Sequence, residues 1–418
     1  MQQATPAMKQ KIFHGWWMVA GCMAVATVAW SFGLYGPSVY LHTISQMHDW
    51  SIGLVSSALT LAFLVNASIL SFVGSAISKY GPQRVMALGA AVMASGFVAM
   101  SSITQVWQVY ASFALMGLGW ACLSTTAITS SLAPWFDRHQ GRAVSTAMLG
   151  ASIGGMVGVP VLLALIGGLG FSSAMLIVAL IVLATVWPVS FFILRRRPQD
   201  LGLHPDGILP ADSAKATTPR IWTRSAALTT TALRTVMLAF GLALMVQIGF
   251  LTHQVSLLLP AIGPSATALC VTLAAVLAFF GRILLARFSD HLDVRLIACG
   301  VLLNAAVSLA LGALFNEHTW ALIMTVLGFG LSAGSITTLP PLIVRREFGA
   351  SSFGAIFGVA AMLMQLMSSI GPAFFGVLYD LSAGYQLPLG LAAGLNFFAA
   401  AVIMRGRHLA PPLHMSQT

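Results

Sequence analysis

Long apolar runs, each at least 18 residues in length, recur along the whole chain and limit its fold more than any other feature. A hydrocarbon core about 30 Å thick is crossed by roughly 20 helical residues, so each run can cross a membrane as one α-helix. Apolar residues make up 58% of the chain and charged residues only 7%, which is atypical of a soluble domain of 418 residues. The sequence therefore predicts an all-α polytopic membrane protein. The predicted spans, numbered 1 to 12, are 16–41, 52–77, 85–102, 107–133, 143–166, 172–194, 228–258, 265–287, 295–315, 319–343, 354–379 and 386–404.

The positions of the 20 Lys and Arg residues predict the orientation of the chain in the membrane. Every one except Arg282 lies before span 1, after span 12, or in or near a loop that follows an even-numbered span. The loops that follow odd-numbered spans contain neither Lys nor Arg. Because basic loops stay on the cytoplasmic side, both termini are predicted to be cytoplasmic. The net charge of +10 thus indicates topology and attraction to the lipid bilayer, and no nucleic-acid partner is expected.

The two halves of the sequence resemble each other when one is shifted by about 212 residues, as internal repeats of transporters do. The shift lays "SKYGPQR" (78–84) over "SDHLDVR" (289–295), and it places Pro160 over Pro372. The intervening segment is polar and contains prolines, as a solvated linker does. We therefore predict an N-terminal six-helix half, a cytoplasmic linker, a C-terminal six-helix half and a cytoplasmic tail. Their predicted boundaries are 1–195, 196–226, 227–407 and 408–418.

The sequence contains no arrangement of residues that predicts catalysis. The four cysteines all fall inside apolar runs and lack C-x-x-C spacing, which argues against both a disulfide framework and a zinc site. No pairing of a nucleophile with a base is evident either. We expect neither catalytic residues nor a metal or other cofactor, and the chain is not predicted to be an enzyme.

Several stretches resemble a known family of membrane transporters. They are "HGWWMVAGC", "FGLYGPSVYLHTISQMHDWSIGLVSSALTL", "PWFDRHQGRAVSTAMLGASIGG", "LTHQVSLLLPAIG" and "GPAFFGVLYDLSAGY". With six plus six spans and a basic central loop, these stretches make the chain similar to the major facilitator superfamily. Within it, the chain looks like the monocarboxylate porters and their bacterial oxalate/formate antiporter relatives. The resemblance implies alternating access between two pseudo-symmetric halves, and a cell-membrane location, in particular a bacterial inner membrane.

Arg282 is the one basic residue that lies well inside a predicted span. A charge at the centre of a span costs about 2.5–3.5 kcal/mol, and no Asp or Glu lies inside any span to pair with it. The repeat places Leu70 at the equivalent position, so the scaffold does not require a cation there. One alternative is that Arg282 extends its guanidinium to the interface marked by Arg287. The resemblance supports the other: in the family, an arginine at this spacing binds the substrate carboxylate.

One cavity cation fits a small organic monocarboxylate better than a dianion. Some members of the family carry an acid one turn before the arginine, where this chain has Ala278. His253, the only histidine well inside a span, is therefore the candidate proton carrier, although a structural histidine is an open alternative. The predicted function is transport of a monocarboxylate, with proton symport and a monomeric protein. The alternatives are an efflux antiporter for amphipathic compounds, an organic anion exchanger, and a receptor that senses its ligand without moving it.

Other polar residues inside spans are candidates to line the substrate cavity, with helix packing as the alternative for each. The candidates besides Arg282 are Tyr35, Trp120, Ser124, Gln247, Ser332, Ser335 and Gln365. Charged residues at the ends of spans 2, 3, 8 and 9 are candidates for a cytoplasmic gate between the halves. They are Lys79, Arg84, Asp290 and Arg295. In span 5, Gly150, Gly154 and Gly158 recur at i, i+4 and i+8, which predicts close packing against a neighbouring helix.

Overall fold

A computed structural model describes residues 13–137, 139–196, 198, 200, 222–289 and 292–407. Helices account for most of these residues, and no strand occurs among them. Twelve membrane-crossing helices, α1 to α12, follow one another along the chain. The first six are α1 (His14–Trp30, Ser31–Tyr35 and Pro37–His48), α2 (Ile52–Tyr80), α3 (Pro82–Met100), α4 (Val106–Leu132), α5 (Gln140–Leu169) and α6 (Phe171–Ile193). The last six are α7 and α8, which share Thr231–Ser289, α9 (Val294–Leu314), α10 (Thr319–Phe348), α11 (Ala350–Ser369 and Gly371–Ser382) and α12 (Gln386–Arg405).

The apolar segment Thr231–Leu285 is two helices and not one. Its 55 residues, at 1.5 Å per residue, would extend about 80 Å, more than twice the thickness of a hydrocarbon core. The helix is interrupted at Gly263, whose φ of 74° and ψ of 173° are far from helical values, and prolines flank it on both sides. Glycine tolerates this backbone because it lacks a Cβ. The described residues therefore contain twelve helices long enough to cross a membrane, as the sequence predicts, with α7 before Gly263 and α8 after it.

The helices form two groups of six. Helices α1 to α6 pack on one another in the first group, and α7 to α12 in the second. The groups meet where α2 packs on α11, where α5 packs on α8, and where the end of α1 packs on the α7–α8 segment. We call the end of the bundle with the Lys- and Arg-containing loops the basic end, and the other the opposite end. Among the described residues, the basic-end segments of α4 and α5 make no extensive contact with α10 or α11.

Three hydrogen bonds close the interface between the halves at the opposite end. The Gly53 N–H at the start of α2 donates to Asp380 Oδ2 on α11, over 2.9 Å. The Ala373 N–H donates to Thr60 Oγ1 over 2.9 Å. His253 Nε2 lies 3.2 Å from Ser56 Oγ. These hydrogen bonds thus join the halves at the opposite end.

The glycine stripe of α5 packs closely against a neighbouring helix, as the sequence predicts. A Cβ on Gly150 would collide with the Met23 carbonyl of α1, and one on Gly154 would lie 2.6 Å from the Thr27 oxygen. The glycine stripe therefore brings the α1 and α5 backbones together. Pro160 lies within α5, whereas Pro372 follows a break that divides α11 in two. Most of the predicted linker, 196–226, and all of the tail, 408–418, lie outside the described residues, so the predicted domain boundaries stay predictions.

Candidate functional site

Arg282 extends from α8 into the interface between the two halves. Its Nε donates to the Gly334 carbonyl of α10 over 3.2 Å, and its Nη1 donates to Ser152 Oγ of α5 over 3.0 Å. Ser152 belongs to the N-terminal half, so the guanidinium bridges the halves. Both acceptors are neutral, and no carboxylate of a described residue forms an ion pair with Arg282. Its positive charge is therefore uncompensated within the described part of the chain.

Glycines on α8 and α10 explain how the Gly334 carbonyl comes within reach. A Cβ on Gly334 would collide with the Ala278 carbonyl and would lie 3.0 Å from Arg282 Cγ. A Cβ on Gly281 would collide with the Leu331 carbonyl. The two backbones thus pack in direct contact, as small residues allow in membrane helices. Ser335 adds a bond across the same contact, because its hydroxyl donates to the Gly281 carbonyl over 3.1 Å.

A mostly apolar cavity lies next to Arg282, between α1, α7, α8 and α10. Its volume is about 20 Å³, room for about one water molecule. Ala278, one helical turn from Arg282, forms part of its wall, and Tyr35 and Gln254 are its polar residues. The Tyr35 ring packs on α5, where a Cβ on Gly155 would lie 2.7 Å from it. The lining residues are Tyr35, Leu251, Gln254, Val271, Ala274, Ala275, Ala278, Val326, Gly330 and Ala333.

The geometry at Arg282 suits a small anion with a short apolar body. A guanidinium presents two parallel N–H groups to a carboxylate, and the exchange of two neutral acceptors for a charged one strengthens the hydrogen bonds. The small side chains of the alanines at 274, 275 and 278 form an apolar wall beside the cation. Tyr35 lies within electrostatic range of Arg282, so it can also contact a ligand held there.

His253 lies on α7 at the opposite end and is 1% exposed. Its Nε2 is 3.1 Å from the Pro372 carbonyl of α11, and the same atom faces Ser56 of the other half. Its Nδ1 is 3.1 Å from the Tyr385 hydroxyl at the start of α12. The imidazole also stacks on Phe375 at a centroid distance of 5.6 Å. His253 therefore joins four helices at the closed end of the interface.

The two candidates on α4 lie within the N-terminal half. Trp120 packs edge-on against Trp30 and Phe63, with ring centroids 6.3 and 5.7 Å away. Its indole Nε1 is buried and has no hydrogen-bond partner among the described residues. Ser124 is the N-cap of the last segment of α4, Thr125–Leu132, because its Oγ accepts a hydrogen bond from the Ala127 N–H over 3.5 Å. Neither residue lines the cavity beside Arg282.

The remaining candidates lie in the C-terminal half. Gln247 Nε2 donates to the Ala333 carbonyl over 3.1 Å, and its Oε1 is buried without a partner in the described part of the chain. Ser332 faces α9, since it donates to the Val301 carbonyl over 3.0 Å and accepts from Asn304 over 2.8 Å. Gln365 is half-buried on α11. Of the other predicted cavity residues, Tyr35 lies within electrostatic range of Arg282, and Ser335 bonds to the adjacent Gly281. Gln247 bonds to Ala333 in the cavity wall.

The candidate gate residues lie at the basic end. Lys79 and Arg84 are exposed, and Asp290 lies outside the described residues. Arg295 is 3% exposed, and its Nε pairs with Glu347 Oε1 over 2.6 Å. Its other N–H groups donate to Glu347 Oε2, the Thr235 hydroxyl and the Ala232 and Ile403 carbonyls. All these partners belong to the C-terminal half, so Arg295 connects α7, α9, α10 and α12. A gate role for these residues stays a prediction.

Sequence reasoning missed the polar residues that meet across the interface. Ser152, Ser56 and Thr60 are small hydroxyl residues inside apolar spans, and nothing in their local sequence separates them from packing residues. Thr272 is similar: its hydroxyl donates to the Met156 carbonyl of the other half over 2.9 Å. Asp380 offered a signal, because it is an acid near the end of a span in a stretch that resembles the family.

Comparison with known proteins agrees with this architecture. The chain is 26% identical over 401 residues to monocarboxylate transporter 11 of Homo sapiens, covering 91% of this chain and 80% of that protein. It is 25% identical over 409 residues to the aspyridones efflux protein of Emericella nidulans, covering 94% and 76%. A crystal structure of a bacterial homolog of the human lysosomal transporter Spinster, inward-facing and occupied, superimposes with a TM-score of 0.69 at 13% identity. It covers 98% of this chain and 100% of that one.

The sequence profile of the Major Facilitator Superfamily matches residues 21–372, which is most of the chain. The match extends from α1 into α11, and the solved structure aligns over nearly the whole length. The resemblance of the sequence motifs is thereby confirmed, with monocarboxylate transporters among the relatives at low identity. This chain is a member of the Major Facilitator Superfamily, a family of multi-pass membrane transporters.

Proposed function

We propose that this protein is a secondary transporter of a small organic monocarboxylate, with Arg282 as the residue that binds the carboxylate. The central observation is the position of the guanidinium: it lies between the halves, and its partners among the described residues are neutral oxygens. An anionic substrate supplies the missing negative charge. The narrow apolar cavity beside Ala278 widens to receive the hydrocarbon part of the substrate.

Alternating access follows from the contacts between the halves. The three hydrogen bonds at the opposite end hold the interface shut there. If the basic end faces the cytoplasm, as the loop charges predict, this conformation admits substrate from the cytoplasm. Rocking of the halves breaks these bonds and also the bond between Arg282 and Ser152. A carboxylate that takes the place of Ser152 at Nη1 therefore uncouples Arg282 from the N-terminal half.

Proton symport is the proposed coupling, with His253 as the proton carrier. His253 is buried at the closed end, it contacts the other half through Ser56, and one of its ring nitrogens faces a hydroxyl. Histidine is the residue type whose unperturbed charge change lies nearest to neutral pH, which makes it the candidate carrier. We further propose a bacterial inner-membrane location with both termini in the cytoplasm, on the basis of the loop charges and the family.

A second candidate function is efflux of an amphipathic compound. The relative from Emericella nidulans carries an efflux name, and most residues that line the cavity are apolar. The two candidates differ in their dependence on Arg282. Transport of an uncharged or cationic compound does not need the guanidinium, whereas transport of a monocarboxylate does.

The test is uptake into proteoliposomes that contain the wild-type protein or Arg282→Ala. Radiolabelled pyruvate, lactate, glycolate and 3-hydroxybutyrate serve as probes, each with and without an inward proton gradient. A hydrogen bond to a charged group contributes about 1.5–3 kcal/mol, so Arg282→Ala should weaken apparent affinity by about one to two orders of magnitude. A proton gradient should increase wild-type uptake.

Arg287→Ala is the matched control, because Arg287 is an exposed arginine on the same helix, five residues nearer the basic end. Its uptake should equal that of the wild type. Carboxylate uptake that survives in Arg282→Ala at wild-type affinity contradicts the proposed anchor. Uptake of none of the probes, together with export of amphipathic dyes by both proteins, supports the efflux candidate instead.

A further inference from the structure

The contacts of His253 determine which ring nitrogen carries its proton. The Pro372 carbonyl is 3.1 Å from Nε2 and can only accept a hydrogen bond, so Nε2 must donate. The Ser56 hydroxyl, also next to Nε2, donates its own proton to the Ile52 carbonyl over 2.6 Å. Ser56 thus presents a lone pair to Nε2. Neutral His253 is therefore the Nε2–H tautomer, and Nδ1 is its basic atom.

The basic Nδ1 faces one group, the Tyr385 hydroxyl, at 3.1 Å. In the neutral state, Tyr385 donates to Nδ1, since Nδ1 has a lone pair and no proton. Tyr385 is half-buried at the first turn of α12, at the opposite end of the bundle. It lies within electrostatic range of the exposed Asp380, and its ring packs on that of Tyr379 with centroids 4.6 Å apart. Tyr385, a partly exposed residue at the opposite end, thus contacts the basic atom of a buried histidine.

We propose that Tyr385 conducts protons between the opposite-end solution and Nδ1 of His253. A hydronium ion in the opposite-end solution gives a proton to the Tyr385 oxygen as the hydroxyl proton of Tyr385 moves to Nδ1. Two O–H bonds break, one in hydronium and one in Tyr385, while a new Tyr385 O–H bond and an Nδ1–H bond form and a water molecule is left. Tyr385 ends neutral and His253 ends as a cation. This inference rests on the proposed proton coupling, and it adds the entry route and the atom that receives the proton.

The groups packed around His253 are compatible with both charge states. Ser56 on α2 and the Pro372 carbonyl on α11 accept from Nε2–H before and after protonation. The Phe375 ring, stacked at 5.6 Å with an interplanar angle of 28°, favours the cation through its π face. Asp380 and Tyr379 on α11 are the other titratable groups near Tyr385, and the Asp380 carboxylate is the nearby anion. The cation thus forms without loss of a hydrogen bond.

A spectroscopic test needs no transport substrate. Protein labelled with ¹⁵N-histidine is reconstituted in nanodiscs, and the His253 resonances are assigned by their absence in His253→Gln. The proposal predicts an Nε2–H tautomer whose Nδ1 takes up the proton on acidification. Tyr385→Phe should shift the midpoint of this titration, whereas Tyr379→Phe should leave it unchanged. An Nδ1–H tautomer in the wild-type protein overturns the proposal. This measurement does not depend on the folding of any variant.

A transport test separates the route from a structural role of Tyr385. Two assays are run on proteoliposomes. One measures net uptake of lactate driven by an inward proton gradient, and the other measures exchange of external for internal lactate at equal pH on both sides. Tyr385→Phe should lower proton-driven uptake about tenfold or more and leave exchange within about twofold of wild type. Tyr379→Phe should leave both unchanged. Equal proton-driven uptake in Tyr385→Phe and wild type overturns the route. If the wild type takes up none of the carboxylates, the proposed function fails, while the tautomer and the titration still test the route.

Discussion

Closure of the interface at the opposite end should weaken when Asp380 and Thr60 are replaced. Asp380 accepts from the Gly53 N–H at the N-terminus of α2, where a carboxylate contributes about 0.3–1 kcal/mol. The hydroxyl of Thr60 accepts from the Ala373 N–H, and a hydrogen bond between membrane helices contributes about 0.6 kcal/mol. Residues 53 and 60 are about 10 Å apart along α2, so the two effects should add. Asp380→Ala with Thr60→Val should then favour the open form by about 0.9–1.6 kcal/mol, or roughly five- to fifteenfold.

The assay is the distance between spin labels at positions 47 and 381, which are 52% and 76% exposed and belong to different halves. The four native cysteines, Cys22, Cys122, Cys270 and Cys299, are first replaced so that only the two introduced thiols react. The double variant should gain a population with a longer distance. Glu317→Ala is the control, because it removes an exposed carboxylate at the same end in the α9–α10 turn. A distance distribution identical to that of wild type refutes the inference that these bonds close the interface.

Three other predictions concern charged groups. Glu347→Ala leaves the buried Arg295 guanidinium without its carboxylate partner and should destabilise the protein by about 3–5 kcal/mol. The melting temperature should fall accordingly; a melting temperature equal to that of Glu317→Ala contradicts this. Burial raises the pKa of the Asp293 carboxyl. The hydrogen bonds that this carboxyl accepts from the Arg295 N–H and the Arg407 side chain, together with the positive charge of Arg407, have the larger effect and lower the pKa below 3.8. The ionised Asp293 carboxylate therefore stabilises the folded protein fully when the pH is above its pKa in the unfolded chain, and this stabilisation is lost as the pH falls through its lower pKa in the folded protein. Asp293→Asn should therefore flatten the dependence of the melting temperature on pH below about 4. Ala278→Glu places a carboxylate one turn from Arg282, where it should pair with the guanidinium. Ala278→Gln fills the same space without a charge, so carboxylate uptake should fall further in Ala278→Glu than in Ala278→Gln; equal uptake in the two variants contradicts this.

Much of the fold follows from the sequence because the membrane permits few solutions. An apolar run must form a helix whose backbone bonds are internal, so span number and position could be predicted from hydropathy. The stripe of Gly150, Gly154 and Gly158 likewise predicted a close helix contact, which α1 provides. The division of Thr231–Ser289 at Gly263 could be predicted because 55 apolar residues exceed one crossing.

The candidate site could be predicted only in part. Arg282 stood out because a charge inside a span is rare, and the structure places it between the halves. The partners of Arg282 and His253 could not be predicted, since Ser152 and Ser56 come from the other half and depend on how the halves dock. Ser332 was predicted to line the cavity, but its side chain faces α9. There its hydroxyl accepts a hydrogen bond from Asn304 and donates one to the Val301 carbonyl.

The central claim, that the Arg282 charge recognises a carboxylate, is tested most directly by paired thermal-shift titrations. Lactate and its uncharged amide, lactamide, are added in turn to wild-type protein, Arg282→Ala and Arg287→Ala in detergent, and pyruvate and 3-hydroxybutyrate are tested with their amides in the same way. At least one carboxylate should raise the melting temperature of the wild type and of Arg287→Ala, while its amide should not, and Arg282→Ala should respond to neither. A carboxylate that stabilises Arg282→Ala as strongly as the wild type contradicts the account.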